Sequence, residues 1–311
     1  LEIKGDSDHT KLIDMLTDLN DYSIGIEDVL KEHFDEENIV YWMAFQILMG
    51  NVDTQNRNVY LYSPLNSDIW YFIAWDNDGC LMRSEYELKN FSDQGSWEKG
   101  ISNYWGNILF QRCLKSRSFR EKLNDAILDL REYLNKDMLI SKIESYKNVL
   151  KPYLYLMPDA EYEPLTSEQY DQIAASLPDE IEKNYKLYLE SLETPMPFYI
   201  GVPSIDGDKL KFNWDVSYDL DAEDITYSVE VARDYLFQDV IYQNTTLTVP
   251  ETEMDLPEAG QYFVRVRATN TSGKTQDAFD YYVTDEGKHY GMKCFYITED
   301  STVEEDNYEE G

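Results

Sequence analysis

The sequence is poor in the residues that build cross-linked and histidine-based sites. Its 311 residues include only three cysteines and three histidines. Cys80, Cys113 and Cys294 are odd in number and widely spaced, so they predict small buried side chains rather than a disulfide framework or a metal-ligand pattern. The histidines share no helical spacing, which argues against a zinc enzyme and against a nucleophile activated by histidine.

Basic residues and long hydrophobic runs are also scarce. The chain has 27 Lys+Arg against 61 Asp+Glu, which gives a formal net charge of −34. A surface this acidic repels nucleic acids and anionic lipids, so we expect cations as partners and no nucleic acid. No apolar run approaches the ~18 residues that cross a bilayer, and the first residues do not form a signal peptide. The absence of an initiator methionine predicts that the chain is part of a longer protein.

Core-forming side chains, by contrast, are plentiful. Apolar residues make up 42% of the chain and aromatic residues 14%, which is too much for a disordered acidic polymer. At roughly 100–200 residues per domain, the length predicts two domains. We expect a catalytic lobe over 1–195, a proline-rich linker over 196–203, a β-rich domain over 204–285, and a strand-like piece with an acidic tail over 286–311.

The first domain has mainly helical periodicity. Asp35 is a suitable N-cap for an apolar helix from Ile39 to Met49, which ends at Gly50. Two β-like runs, Asn58 to Tyr62 and Trp70 to Trp75, are joined by a polar turn and predict a hairpin. Further helices are predicted over 104–115, 117–135, 137–152 and 167–193.

The second domain has short alternating runs separated by turn residues, which predict an antiparallel β-sandwich. The strands are expected at 210–214, 225–231, 245–249, 262–268 and 279–283, with one more strand-like piece at 292–297. The predicted fold class of the whole chain is therefore α+β.

Polar side chains flank the predicted hairpin. The apolar helix leads to Asp53, Asn58 follows five residues later, and the hairpin returns the chain to Asp76 and Asp78. We expect the three carboxylates and the amide to converge, because oxygen ligands of this kind suit Mg²⁺ together with substrate phosphates. An Asp, an Asn five residues on, two strands and an Asp near a Gly is also the order of parts in the catalytic lobe of protein kinases.

Two other interpretations of the acidic segment stay open. Asp-Asn-Asp-Gly is typical of a simple turn. If Gly79 is the sixth position of a calcium-binding EF-hand loop, Asp76, Asp78 and Glu85 fall at positions 3, 5 and 12. Position 1 would then be Ala74, which has no side-chain oxygen, and the residues before it look like a strand.

The stretch from Asn51 to Tyr62, followed by Trp70 to Asp78, resembles the signature of the spore coat protein H (CotH) family. These atypical kinases are similar in fold to protein kinases and phosphorylate extracytoplasmic proteins. The resemblance implies a mainly helical, kinase-like C-lobe with a small hairpin at its active site, using ATP with Mg²⁺ or Mn²⁺. By position it implies Asp53 as the catalytic acid, Asn58, Asp76 and Asp78 as metal-side ligands, and Asn51, Arg57 and Trp75 as supporting residues that bind the cofactor.

The sequence departs from ordinary protein kinases at several points. Asn51-Val52 stands where those kinases have His-Arg, Gln55 stands where they have Lys, and the Phe after the metal-binding Asp is missing. No Gly-x-Gly-x-x-Gly occurs, and about 50 residues before the catalytic loop are too few for a nucleotide-covering lobe. If the resemblance holds, we expect this chain to lack its N-lobe and to be inactive alone.

A second resemblance covers about 204–284. The segment Leu256 to Gly273 resembles the end of a fibronectin type III module, with Leu256 and Tyr262 placed as in its tyrosine corner. Such modules are mostly spacers or binding platforms, which favours an exported bacterial protein.

These observations lead to one main functional hypothesis and two alternatives. The main hypothesis is a CotH-like kinase at the bacterial surface or spore coat, which transfers phosphate from ATP to surface proteins. The first alternative is a non-catalytic adhesion or scaffold protein with a silent kinase-like lobe and a β-sandwich that binds a surface partner. The second is a calcium-stabilised surface module.

Overall fold

The computed structural model describes residues 8–55, 57–82 and 94–305, and its fold class is α+β, as predicted. The chain divides into two compact units. The first contains the described parts of Leu1–Phe91 and Tyr104–Tyr188, and the second contains those of Ser92–Asn103 and Leu189–Gly311. The predicted domain boundary near 195 stays a prediction, because this division falls inside the last helix.

The described residues of the N-terminal region form seven helices. They are α1 (Thr10–Asn20), α2 (Ile26–His33), α3 (Glu36–Met49), α4 (Ile108–Lys115), α5 (Arg117–Tyr133), α6 (Lys136–Leu154) and α7 (Ser167–Glu193). The predicted helices are confirmed to within a few residues, and α2 is an additional helix that the sequence did not predict. No helix in the described residues combines the length and the apolar character needed to cross a membrane.

Helix α3 lies in the core of the first unit. The side chain of Asp35 accepts a hydrogen bond from the backbone nitrogen of Asn38, so the predicted N-cap is confirmed. Eight of its fourteen residues are buried, on several sides of the helix, as its apolar composition predicts. The ring of Trp42 packs against Phe72 at 4.8 Å and against Phe110 at 5.7 Å between centroids. These contacts fix α3 against its neighbours.

The predicted hairpin is confirmed as β1 (Tyr60–Tyr62) and β2 (Tyr71–Ile73), with Tyr60 opposite Ile73. Helix α3 holds β2 through the amide of Asn38. Its Oδ1 accepts from the backbone nitrogen of Phe72 at 2.6 Å, and its Nδ2 donates to the Phe72 carbonyl at 3.1 Å. One side chain therefore supplies both backbone hydrogen bonds that a further strand would supply.

The second unit contains two principal antiparallel sheets and a small hairpin. A three-stranded sheet has the order β3-β4-β7, and a six-stranded sheet has the order β13-β12-β8-β5-β6, with β9 also paired to β8. The hairpin is formed by β10 and β11. The strands are β3 (Ser204–Asp206), β4 (Lys209–Asn213), β5 (Ile225–Ala232), β6 (Val240–Leu247), β7 (Glu251–Asp255), β8 (Gly260–Asn270), β9 (Thr275–Asp277), β10 (Tyr281–Thr284), β11 (Gly287–Tyr290), β12 (Met292–Ile297) and β13 (Val303–Glu305).

The two principal sheets enclose one apolar core, as expected for a sandwich. Phe212 from the smaller sheet lies against Phe295 from the larger one at 5.9 Å between ring centroids. The hydroxyl of Tyr262 donates to the carbonyl of Glu258 at 2.8 Å, and Leu256 packs against the same core. This is the hydrogen bond of a tyrosine corner.

Some strands differ from the sequence prediction. Strand β7 was not predicted, because its outward-facing residues are acidic and only Thr252 and Met254 are partly buried. Strand β12 was placed outside the sandwich, but it pairs with β8 inside the larger sheet. The predicted acidic tail begins with an edge strand, since Glu304 and Glu305 belong to β13, and 306–311 lie outside the described residues.

Candidate active site

The C-terminus of α3 is built to hold the following loop in one position. Gly50 adopts a left-handed conformation with φ 63°, as a helix-ending glycine does. Its backbone nitrogen donates to Ile47, and the nitrogen of Asn51 donates to Gln46, both at 3.1 Å. This pair of bonds is a Schellman motif, which satisfies two of the carbonyls that a helix end leaves without partners.

The last two carbonyls of α3 find partners from distant parts of the first unit. The carbonyl of Leu48 accepts from Asn184 Nδ2 at 2.9 Å, and that of Met49 accepts from the Leu81 nitrogen at 2.8 Å. A Cβ on Gly50 would lie 2.6 Å from Asn184 Nδ2, so a larger residue there would have to displace the Asn184 side chain. The start of the loop is therefore fixed by four hydrogen bonds.

Asp53 lies in a short 3₁₀ turn, Val52–Gln55, which we call the Asp53 turn. Thr54 holds the turn on its buried side. The Thr54 hydroxyl donates to the Asn51 carbonyl at 3.1 Å and contacts the Tyr104 hydroxyl at 3.0 Å. Asp53 itself is exposed. Its carboxylate is therefore presented to solvent on a rigid backbone.

The segment Asp76–Gly79, which we call the acidic turn, follows β2. Asp76 has φ 49°, a left-handed conformation that Asp adopts more readily than most residues. A Cβ on Gly79 would lie 3.1 Å from both Asn51 Oδ1 and Asp53 Oδ2. The missing side chain of this glycine leaves a corner between the two turns, and two oxygen atoms face it.

Three amides support this corner. Asn51 Nδ2 donates to Gln46 Oε1 at 3.0 Å and to Asn77 Oδ1 at 3.4 Å, and Gln46 Nε2 donates to Asn77 Oδ1 at 3.1 Å. Asn51 is only 2% exposed, and its Oδ1 is buried without a hydrogen-bond partner. A buried acceptor that makes no hydrogen bond is costly unless a ligand satisfies it.

The carboxylates of the two turns repel one another. The negative charge of Asp78 is the main cause that raises the pKa of Asp76, and Asp53 adds to it. Burial, followed by the charges of Asp78 and Asp53, raises the pKa of the Cys80 thiol to about 12. The structure therefore brings Asp53, Asp76 and Asp78 into one electrostatic neighbourhood, whose excess negative charge favours a cation.

The other predicted site residues lie on the adjoining loop and hairpin. Asn58 is half-buried and left-handed, with φ 53°, two residues before β1 begins. The backbone nitrogen of Arg57 donates to the Asp53 carbonyl at 3.1 Å, and the Arg57 side chain is exposed. Trp75 is half-exposed and packs on Tyr60 at 5.0 Å between ring centroids. Their roles in binding stay predictions.

The protein could supply only some of the ligands that a divalent cation needs at this site. No group of three or more His, Cys, Asp or Glu side chains in the described residues has the arrangement to hold a metal ion. The unpartnered Asn51 Oδ1 and the neighbouring Asp53 Oδ2 nevertheless supply oxygen atoms of the kind Mg²⁺ prefers, and Mg²⁺ usually keeps waters and substrate phosphates in its shell. The residues present fit such a partly protein-bound ion.

The EF-hand alternative receives no structural support. A strand, β2, precedes the acidic turn, whereas the first half of an EF-hand is a helix. Glu85, which would complete the loop, lies outside the described residues.

Sequence reasoning missed Gln46, Asn77 and Gly79. Gln46 carried a usable signal, because it is a fully buried amide in the last turn of α3, within the apolar run from Ile39 to Met49. Asn77 and Gly79 lay in a segment whose composition is equally typical of an ordinary turn. Their contacts with Asn51 depend on the fold and leave no local pattern.

Comparison with known proteins identifies a family. The family model described as CotH kinase protein matches residues 1–188. No curated protein matches the chain. A solved structure of the surface layer protein SbsC, domains 1-6, is 12% identical and covers 88% of this chain, with a TM-score of 0.17. The match covers 38% of the SbsC chain, and so low a TM-score supports no argument.

Proposed function

The chain belongs to the CotH kinase family, and from this premise we propose that its helical unit is the catalytic lobe of an ATP-dependent protein kinase. The observation that carries the proposal is the pairing of the exposed Asp53 turn with the acidic turn of Asp76 and Asp78. The proposed substrates are ATP and a hydroxyl-bearing side chain of an extracytoplasmic or surface protein.

Asp53 is the proposed catalytic residue. Its exposed carboxylate would accept the proton of the acceptor hydroxyl as the hydroxyl oxygen bonds to the γ-phosphorus of ATP and ADP leaves. The backbone of the Asp53 turn is held by Thr54 and Tyr104, so the carboxylate can be aimed without reorganisation.

Asn58 and Asp76 are the proposed metal ligands, with Asp78 beside them and Asn51, Arg57 and Trp75 in support. When bound, Mg²⁺ or Mn²⁺ would supply positive charge that offsets the negative charge developing on the ATP phosphates. The mutual repulsion of the carboxylates supports this assignment, since a cation between them would remove it.

The second unit is proposed to be a fibronectin type III-like module that serves as a spacer or as a surface-binding platform. The hydrogen bond between the Tyr262 hydroxyl and the Glu258 carbonyl supports this proposal. With the family membership, it favours a protein at the bacterial surface or in a spore coat.

A second candidate function is a non-catalytic surface scaffold whose kinase-like lobe is silent. It is favoured by Gln55, which stands in the Asp53 turn where ordinary kinases have a lysine. The two candidates differ in whether Asp53 and Asp76 are needed for phosphate transfer.

The test uses the full-length protein with labelled ATP and Mg²⁺ or Mn²⁺, and compares wild type with Asp53→Ala and Asp76→Ala. Autophosphorylation and transfer to coexpressed surface proteins should fall by about 10²-fold or more in both variants. Asp159→Ala is the matched control, because Asp159 is also an exposed aspartate in a 3₁₀ turn of the first unit. Equal labelling in all four proteins would favour the scaffold.

A further inference from the structure

The buried amides of Gln46, Asn51 and Asn77 form a closed hydrogen-bonded group beneath the proposed site. Gln46 is 0% exposed and Asn51 is 2% exposed, so water does not replace the bonds between them. Gln46 lies in the last turn of α3, Asn51 follows the end of that helix, and Asn77 lies in the acidic turn. The group therefore joins the core helix to both turns that carry the carboxylates.

The hydrogen bonds set the direction of the Asn51 amide. Its Nδ2 donates to Gln46 Oε1 and to Asn77 Oδ1, so its Oδ1 faces the corner beside Gly79. Reversing the Asn51 amide alone would place its oxygen against two other acceptors. The three amides can consequently reverse only together, which ties the direction of Asn51 to that of Gln46.

The corner that results offers acceptors. Asn51 Oδ1 has no partner, and Asp53 Oδ2 lies at the same 3.1 Å from the point where a Gly79 Cβ would be. An amide oxygen beside a carboxylate, with two more carboxylates on the acidic turn, is suited to a divalent cation or to a water bound to it. A reversed amide would instead direct two hydrogens at the cation.

We infer that Gln46 is a positioning residue, which holds Asn51 Oδ1 toward the corner as an additional oxygen ligand for a divalent cation. The inference rests on the proposed function, in which the same site works with Mg²⁺ or Mn²⁺. It adds that the core of α3 tunes the cation affinity through an amide that never touches the cation, as partners behind metal ligands commonly do.

The experiment measures Mn²⁺ affinity by calorimetry without nucleotide, in a double-mutant cycle of Gln46→Met and Asn51→Asp. Methionine keeps the length of the glutamine but removes its acceptor, so Mn²⁺ should bind about tenfold more weakly to Gln46→Met. Aspartate at 51 presents an oxygen in either direction, so Gln46→Met should change the affinity by less than about twofold in the Asn51→Asp background.

Gln276→Met is the matched control, because Gln276 is equally buried, at 1% exposure, and lies in the second unit. It should leave Mn²⁺ affinity unchanged. Asn77→Ala is the second probe if Gln46→Met does not fold, since Asn77 is only half-buried and removes a partner from the same group. It should weaken Mn²⁺ binding with Asn51 present and not with Asp at that position.

The outcomes separate this inference from the proposed function. An equal loss of affinity in both backgrounds would show a general structural effect and would overturn the positioning role. Wild-type affinity in Gln46→Met, together with lost affinity in Asp76→Ala, would overturn the inference while leaving the proposed cation site intact. No Mn²⁺ binding by wild type would overturn both the inference and the cation part of the proposed function.

Discussion

The two units place their buried amide groups in different surroundings. In the sandwich, the tyrosine corner completes a hydrogen bond within the domain, and Asn270 Nδ2 donates to Asp219 at 2.9 Å. At the proposed site of the first unit, the buried amide of Asn51 completes the bonds of its nitrogen but leaves its oxygen without a partner. The second unit also contains a buried amide oxygen without a partner, Gln276 Oε1, but Asn51 Oδ1 differs in that it lies beside the Asp53 carboxylate.

Charged side chains are also arranged differently in the sandwich and in the proposed site. Glu230 in the sandwich forms an ion pair with Arg265, and Asp277 forms one with Arg267. In the proposed site, carboxylates lie beside other carboxylates, so the pKa of Asp76 is raised. Like charges that the fold holds close together are typical of functional sites, and in this comparison they occur in the first unit.

Replacing one glycine in each unit should give the largest difference between the units in the free energy of unfolding. Gly50 and Gly207 have nearly equal φ values of 63° and 62°, but a Cβ on Gly50 would clash with Asn184, whereas Gly207 has nothing within 4 Å. We expect Gly50→Ala to lower the free energy of unfolding by about 2–3 kcal/mol and Gly207→Ala by about 1 kcal/mol. Chemical denaturation measures both, and equal losses would show that Asn184 moves freely.

The tyrosine corner should give the next largest effect. Tyr262→Phe removes the hydroxyl that bonds the Glu258 carbonyl, so we expect a loss of about 1–2 kcal/mol in the free energy of unfolding and no change in Mn²⁺ affinity. Tyr235→Phe is the control, because Tyr235 contacts Phe263 and His289 through its ring. A weaker Mn²⁺ affinity in Tyr262→Phe would contradict the separation of roles between the units.

The smallest expected effect is a mutation that stabilises the protein, whereas most mutations destabilise it. Asp76→Asn removes a charge that Asp78 and Asp53 repel, so without divalent cations the melting temperature should rise slightly at pH 7. Because the folded-state pKa of Asp76 is raised, this advantage is present above that pKa and disappears as the pH falls through it. Melting curves from pH 7 to pH 4 in a chelator test this, and a lower melting temperature at pH 7 would contradict it.

Local sequence patterns predicted much of the fold but less of the site. Asp35 and Gly50 marked both ends of α3, and the polar turn between two β-like runs marked the hairpin. The contact of Asn184 with Leu48, by contrast, joins residues 136 positions apart and has no local signal. Helix α2 was missed although it carries a local signal, since its buried residues Ile26, Val29, Leu30 and His33 recur at helical spacing.

The carboxylates of the proposed site could be predicted from the sequence, but the amides that support them could not. The spacing around the hairpin predicted that Asp53, Asp76, Asp78 and Asn58 converge. The charges of Asp78 and Asp53 raise the pKa of Asp76, but no three acidic side chains of the described residues are arranged to hold a metal ion. The amides beneath them were not predicted, because the direction of an amide is decided by partners that only folding brings together. Metal binding by Asn58 and the contributions of Arg57 and Trp75 stay predictions.

Helix α3 contacts the hairpin segment at two points, and the distance between these contacts along the helix sets the position of the site. Asn38, near its start, holds β2, and Met49, at its end, holds Leu81 beyond the acidic turn. At about 1.5 Å per residue, the eleven steps between them span roughly 16 Å. Residues inserted in the hairpin loop should therefore leave the carboxylates in place, whereas one residue inserted in α3 would turn one anchor by about 100° relative to the other.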